Sequence, residues 1–224
     1  KELIKQGKTR FDFSREELYQ QVWDFVTEKR GDMELQLRAL GVSASWDHSV
    51  FTLDKKVIDT VNDTFKKLWD EGLIYRGERI VNFCVKHQTS FADIEVEHKD
   101  VDGELVSISY GPLTVATTRV ETMLGDTAVA VHPEDDRYKH LVGRNVRLPL
   151  AERLIPIVAD TYVDREFGTG VVKITPAHDF NDFAVGKRHN LPMINVFDDF
   201  ARMNDNVPPE YRGLDRFEAR KKVI

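Results

Sequence analysis

The chain has 224 residues, 41% hydrophobic and 31% charged, and a formal net charge of −6, which suits a globular chain of one large domain or one domain plus part of another. The acidic balance argues against a protein that coats nucleic acid, although a few donors and a stacking surface suffice to hold one single-stranded end. No apolar run approaches the roughly 20 residues that span a bilayer, Lys1-Glu2-Leu3-Ile4-Lys5 has no signal-peptide core, and the single Cys84 excludes an internal disulfide, which together point to the cytoplasm.

The first third reads as helix. Ser14-Arg15-Glu16-Glu17 forms a capping box, a hydroxyl for one orphan amide and a carboxylate reaching back for another. Leu18, Val22 and Val26 follow as one apolar stripe. Gly31 is expected to end or interrupt this helix. Met33, Leu37 and Leu40 continue a second stripe, and Gly41 is a left-handed stop. A further helix is expected from about Asp54 to Glu71, with Val57, Val61, Phe65 and Leu68 as its buried face and Gly72 closing it. These helices are expected to pack on each other or on something outside the chain.

From about Arg79 the period changes to two. Strands are expected at 79–85, 94–98, 105–110, 113–118, 126–132, 154–159, 170–175 and 193–197, with Asp102-Gly103 as a hairpin turn. Short strands at this spacing suggest a barrel or sandwich. One helix interrupts them, from about Pro176 to His189, with Thr175 as cap and Asn190-Leu191-Pro192 as stop. Leu214 to Ile224 opens another helix without finishing it, as in a piece of a longer protein. The expected fold class is therefore α+β: a helical segment, residues 1–78, then a mainly β, barrel-like domain with an inserted helix, residues 79–224.

Two polar motifs lie about fifty residues apart. The first is Thr117-Thr118-Arg119-Val120-Glu121-Thr122, after the apolar run Leu113-Thr114-Val115-Ala116. The second is Gly168-Thr169-Gly170-Val171-Val172-Lys173-Ile174-Thr175-Pro176-Ala177-His178-Asp179-Phe180-Asn181-Asp182. Lys173 and Thr175 are two apart on a strand and share a face; Asp179 and Asp182 are three apart in a first helical turn and share another. A strand end, a turn and a helix start would gather the four around one small volume. There a carboxylate holds an ammonium group and Lys173 an oxyanion or phosphate. The plainer readings are dipole complementation for the two acids and β propensity for the threonines. Gly168-Thr169-Gly170 lacks the pattern of a phosphate loop and reads as a turn. Cys84 and His87 form a single Cys-x-x-His pair, half of what a zinc site needs. His178 is either a general base or only a hydrogen-bonding residue.

These motifs resemble those of the valyl-tRNA synthetase family, in particular its editing insertion. The family shows Thr-Thr-Arg-Pro-Glu-Thr, continued here as Met123-Leu124-Gly125-Asp126-Thr127-Ala128-Val129-Ala130-Val131-His132-Pro133, and Gly-Thr-Gly-x-x-Lys-Ile-Thr-Pro-Ala-His-Asp-x-x-Asp. Gly41 to Trp46-Asp47, Glu71 to Gly77 and Val81-Asn82 are also similar, so the resemblance covers essentially the whole chain. Val120 stands where the family usually has Pro, which leaves that turn less rigid. Cys84 to His87 stand where relatives carry a zinc-type cysteine pair. The nucleotide-binding signatures, of His-x-Gly-His and Lys-Met-Ser-Lys-Ser type, are absent from the chain. Valine activation is therefore not expected of it, and ATP belongs to the synthetic site of the parent enzyme.

The resemblance implies a hydrolytic site for threonine wrongly esterified to a valine-specific tRNA. Valyl-tRNA synthetases are themselves the standard example of the difficulty: an apolar pocket rejects the hydroxyl-bearing isostere only about a hundredfold, so a second site must select for the hydroxyl. By resemblance Asp182 anchors the α-ammonium, Asp179 and Thr122 read the threonine hydroxyl, and Arg119, Lys173 and Thr175 position the ester and terminal adenosine. Thr117 and Thr118 line the pocket. Lys173, Asp179 and Asp182 are the catalytic candidates, water is the nucleophile, and no metal or cofactor is expected. The expected partners are a tRNA acceptor end and the remainder of the synthetase, with no membrane. The segment 1–78 would belong to, or border, the catalytic core. A passive acceptor-end binding module and a structural insertion with a decayed site are the alternatives.

Overall fold

The computed structural model describes residues 2–224, and the chain forms two compact units, Lys1–Arg76 and Gly77–Ile224. Among the described residues the first contains three α-helices, α1 (Glu2–Lys5), α2 (Arg15–Ala39) and α3 (Lys55–Asp70). The Ser14 hydroxyl accepts from Glu17 N at 3.2 Å, and the Glu17 carboxylate accepts from Ser14 N at 2.9 Å, completing the capping box. Gly31 does not end α2, which spans 25 residues from Arg15 to Ala39. A lone glycine costs about 1 kcal/mol relative to alanine, too little to break a helix flanked by Glu, Lys, Arg and Leu. Both α2 and α3 stop where expected. Gly41 and Gly72 take positive φ, and the following amides close back on Leu37 and Leu68 in paired C-terminal hydrogen bonds.

The apolar stripe of α3 is not buried. Val61 and Phe65 are each 59% exposed, and neither α2 nor α3 contains a buried residue. The stripe has the period of a packed helix, but this unit supplies no layer to cover it.

The second unit carries the strands. β1 (Asn82–Cys84) and β2 (Thr89–Phe91) form one antiparallel pair; β3 (Val106–Tyr110) and β4 (Leu113–Thr117) form another. A four-stranded sheet contains β5 (Ala128–Val131), β6 (Asn145–Arg147), β7 (Leu154–Ala159) and β8 (Val171–Ile174) in the order β6-β7-β5-β8. Its β5–β7 pairing is parallel and its other pairings are antiparallel. The sheets are open, so the expected barrel does not form. The expected strand at 94–98 is replaced by a 3-10 turn, Asp93–Glu95. That at 193–197 is reduced to an isolated bridge between Phe197 and Met203. The hairpin turn falls at Gly111-Pro112, between β3 and β4, rather than at Asp102-Gly103. β2 and β6 were not expected.

Apolar residues from both faces of this sheet form the core. Tyr110, Leu113 and Val115 pack with Val129, Val131, Ile155 and Ile157. On the other face Ala128, Ala130 and Ile174 meet Val185 of α4 (Phe180–Arg188). A third cluster joins Met123 and Leu124 to Met203, Tyr211 and Ala219 of α5 (Arg216–Val223). Glu121 is buried and takes both Nε and Nη2 of Arg220 at 2.7 Å, tying α5 to the 3-10 helix Val120–Gly125. The inserted helix is shorter than expected. Pro176 to Asp179 form a turn closed by His178 N on Thr175 O, and Asp179, not Thr175, caps α4 through Asn181 N (2.8 Å) and Asp182 N (3.1 Å).

Candidate functional site

Four elements deliver the polar motifs to one place. The end of β4 and the 3-10 helix after it carry Thr117, Thr118, Arg119 and Thr122. β8 carries Lys173 and the start of the next turn Thr175; Asp179 is the N-cap of α4 and Asp182 belongs to its first turn. All eight line one cavity of about 190 Å³, together with Ala116, Tyr162, Val172 and His178. A larger groove of about 660 Å³ shares Arg119, His178 and Asp179 with it.

One wall is a buried polar network. The Lys173 ammonium donates to Asp126 Oδ1 (3.2 Å), Thr122 Oγ1 (3.1 Å) and Thr175 Oγ1. Thr175 Oγ1 donates to Asp126 Oδ1 at 2.6 Å, and the Tyr110 hydroxyl donates to Asp126 Oδ2 at 2.7 Å. Burial pushes the Asp126 carboxyl up, while the Lys173 ammonium and the Thr175 and Tyr110 hydroxyls pull the other way. A buried charge needs such partners, since an unpaired one costs several kcal/mol. Lys173 is thus an internal ion-pair partner, and its donors are spent inside the protein rather than on a phosphate.

The acids face this wall. Asp182 is buried; one carboxylate oxygen accepts from Thr175 N at 2.8 Å. Burial raises its pKa to about 6, with the charges of Asp179 and Asp126 adding to the rise and the Thr175 amide and Lys173 opposing it. Asp179 is exposed and serves as the α4 cap. Arg119 is exposed; its Nη1 donates to the His178 carbonyl at 2.9 Å. Its backbone N–H donates to Thr117 Oγ1 at 3.1 Å.

His178 is a hydrogen-bonding residue in this structure. Its Nε2 accepts from Val196 N at 3.0 Å, and its ring meets Phe197 edge-on at 4.8 Å. Burial, with Arg119 and Lys173 adding, holds it down to about 3. A neutral imidazole whose lone pair is committed to an amide has none left for a proton, which removes the general-base reading. Cys84 Sγ lies 3.4 Å from His87 Nδ1, and among the described residues no three His, Cys, Asp or Glu side chains gather as a metal site.

Sequence reasoning missed Asp126, Tyr110 and Tyr162. A signal existed for Asp126, an acid flush against the apolar run Ala128-Val129-Ala130-Val131, since an acid carried inside by a buried strand must find a cation. Tyr110 and Tyr162 reach the site through tertiary packing alone.

The sequence that builds this cavity is matched by a family model. The tRNA synthetases class I (I, L, M and V) match residues 1–216, and the chain belongs to this family. Its relatives include valine–tRNA ligases from Streptomyces avermitilis (54% identical over all of this chain and 26% of the relative), Francisella tularensis (52%, all of this chain and 25%) and Carboxydothermus hydrogenoformans (54%, all of this chain and 26%). The valyl resemblance of the motifs is thereby borne out. The chain spans about a quarter of the length of these relatives. A solved structure described as "The crystal structure of GlLeuRS-CP1" is 22% identical over 33% of this chain and 41% of that one, at a TM-score of 0.29. Among the described residues no helix is long and apolar enough to cross a membrane.

Proposed function

We propose that the cavity is a hydrolytic editing site that removes threonine esterified to a valine-specific tRNA. The observation that carries this reading is the polarity of the cavity. Asp182 and Asp179 present carboxylate oxygens, and the hydroxyls of Thr122 and Thr175 have their protons committed elsewhere. Such a lining suits a ligand with two donors close together, an α-ammonium and a side-chain hydroxyl. Valine offers the first without the second and would leave acceptors unpaired.

In this reading Asp182 holds the α-ammonium, Asp179 and Thr122 meet the threonine hydroxyl, and Thr117 and Thr118 line the pocket. The exposed Arg119 guanidinium, with N–H groups beyond the one on His178, orients the ester and the terminal adenosine. Lys173 and Thr175 form the wall against which the aminoacyl group lies. Water adds to the ester carbonyl carbon, the bond to the ribose oxygen breaks, and that oxygen leaves as a hydroxyl. The protein contributes mainly position and a preset electrostatic field. The reading calls for no metal or cofactor; ATP serves the synthetic site of the full-length enzyme. The partners are the tRNA acceptor end and the rest of the synthetase, in the cytoplasm.

The test is deacylation of threonyl- and valyl-tRNA, both on valine-specific tRNA, by this chain and by Asp182→Ala. Loss of threonine faster than valine, abolished in the variant, is the expected result. A folded chain that accelerates neither would overturn it in favour of a passive module that binds the acceptor end, for which the net charge of −6 predicts weak affinity.

A further inference from the structure

The direction of every hydrogen bond in the buried wall can be counted. An ammonium has three protons and a hydroxyl one. Those of Lys173 go to Asp126, Thr122 and Thr175. The proton of Thr175 goes to Asp126 Oδ1 at 2.6 Å, and that of Thr122 to the Arg119 carbonyl at 2.8 Å. Any lone pair that Thr122 or Thr175 still offers a ligand is therefore an acceptor, and Lys173 has no N–H to spare. The chain of donors terminates on Asp126, which is fully buried and does not itself line the cavity. Tyr110, also fully buried and outside the lining, donates to the other carboxylate oxygen at 2.7 Å. Burial pushes the Tyr110 hydroxyl upward, so it stays protonated and stays a donor.

We infer that Asp126 and Tyr110 are positioning residues that set the polarity of the cavity wall from behind and so make the site select an aminoacyl group that donates a hydroxyl proton. The identity of the ligand rests on the editing reading; the reason for its selection is what the network adds. Without an acceptor at 126, the Thr175 proton turns outward and Lys173 is released to donate into the cavity. A threonyl hydroxyl would then meet donors through its lone pairs and find no acceptor in the wall for its own proton, so its advantage over a group without a hydroxyl falls.

The test separates selection from turnover. Adenosine analogues carrying a 3′-amino group, acylated through an amide with threonine or with 2-aminobutyrate, differ by one hydroxyl and resist hydrolysis. Their dissociation constants are measured by calorimetry on the whole 224-residue chain, with amide exchange at β8 as the check of fold. The wild type prefers the threonyl analogue. Asp126→Leu lowers that preference about tenfold, the worth of one net hydrogen bond. Asp126→Asn restores part of it, because an amide oxygen still accepts from Lys173 and Thr175. A role confined to stability would weaken both analogues alike. An unchanged ratio in folded Asp126→Leu overturns the inference, as does a wild type without preference. If Asp126→Leu does not fold, Asp126→Asn and Tyr110→Phe decide: a reduced ratio in both supports the inference, and a wild-type ratio in either overturns it. Threonyl-tRNA deacylation is assayed on the same samples. Ratios as expected without turnover would sink the hydrolytic reading and leave this one standing.

Discussion

Asp182 is held in the folded state at a cost, and Asp182→Asn should show it. Its carboxyl rises from 3.8 to about 6 on burial. That is about 2 units, or about 3 kcal/mol at 1.36 kcal/mol per unit, taken as an upper bound. An acid raised in the folded state favours folding below its unfolded pKa, and that contribution is lost as pH rises through about 6. At pH 8 the native chain therefore bears the whole cost of the buried charge. The amide of Asn keeps an oxygen for Thr175 N, the 2.8 Å contact that orients the turn. Asp182→Asn should be more stable than the native chain by about 1–3 kcal/mol at pH 8, and the difference should shrink towards zero by pH 4. Threonyl-tRNA deacylation should be lost in the same variant. Trp23, Trp46 and Trp69 all belong to the unit Lys1–Arg76, so tryptophan fluorescence reports the wrong unit. Urea unfolding followed by amide exchange at β8 reads the right one. A variant less stable at pH 8, or a difference that does not vary with pH, would refute the reasoning.

Gly170 has φ of 73°, and a Cβ there would lie 2.5 Å from Arg137 Nη2 and 3.0 Å from the Arg165 carbonyl. Gly170→Ala should cost about 2–3 kcal/mol in chemical denaturation, and Gly168→Ala, which meets only Ala116 Cβ at 3.8 Å, about 1; equal costs would contradict this. Thr127 Oγ1 is buried without a partner among the described residues. Thr127→Val should therefore be neutral or gain about 0.5–1 kcal/mol in thermal unfolding, and a loss above about 1 would reveal an unseen partner. Asp160 accepts from Arg188 Nη2, His189 Nε2 and Tyr162 N, each at 2.9 Å. Burial pushes its carboxyl up, but Arg188, Tyr162 N and His189 outweigh it and bring it down to about 2. A lowered acid stabilises the fold above its unfolded pKa and loses this as pH falls towards 2. With Arg188 half in water, Asp160→Asn should cost about 1 kcal/mol at pH 7 and nothing near pH 2, as read from paired urea titrations.

Local chemistry and tertiary packing divide the explanation of this protein between them. The ends of α2 and α3 follow from Ser14, Glu17, Gly41 and Gly72, because caps and left-handed stops act within one helical turn. β4, β5, β7 and β8 were legible as apolar runs, and a period of two put Lys173 and Thr175 on one face before any neighbour was known. Asp179 lies beside Asp182 because it caps the helix that Asp182 helps to open, a local arrangement of one turn. The layering was not legible. Whether short strands close into a barrel or stop as an open β6-β7-β5-β8 sheet depends on pairings between distant segments, such as the parallel β5–β7 register of Val129 with Ile157. Nor could sequence show that the stripe of Val61 and Phe65 lacks a cover within its unit. The partner of Lys173 was likewise decided by fold. Asp126 lies 47 residues away along the chain, and only the antiparallel pairing of β5 with β8, Ala128 opposite Ile174, brings the two charges together. Sequence brought out eight of the residues that line the cavity; tertiary structure added Asp126, Tyr110 and Tyr162 and decided which way the protons point, because that depends on which acceptors the fold buries beside them.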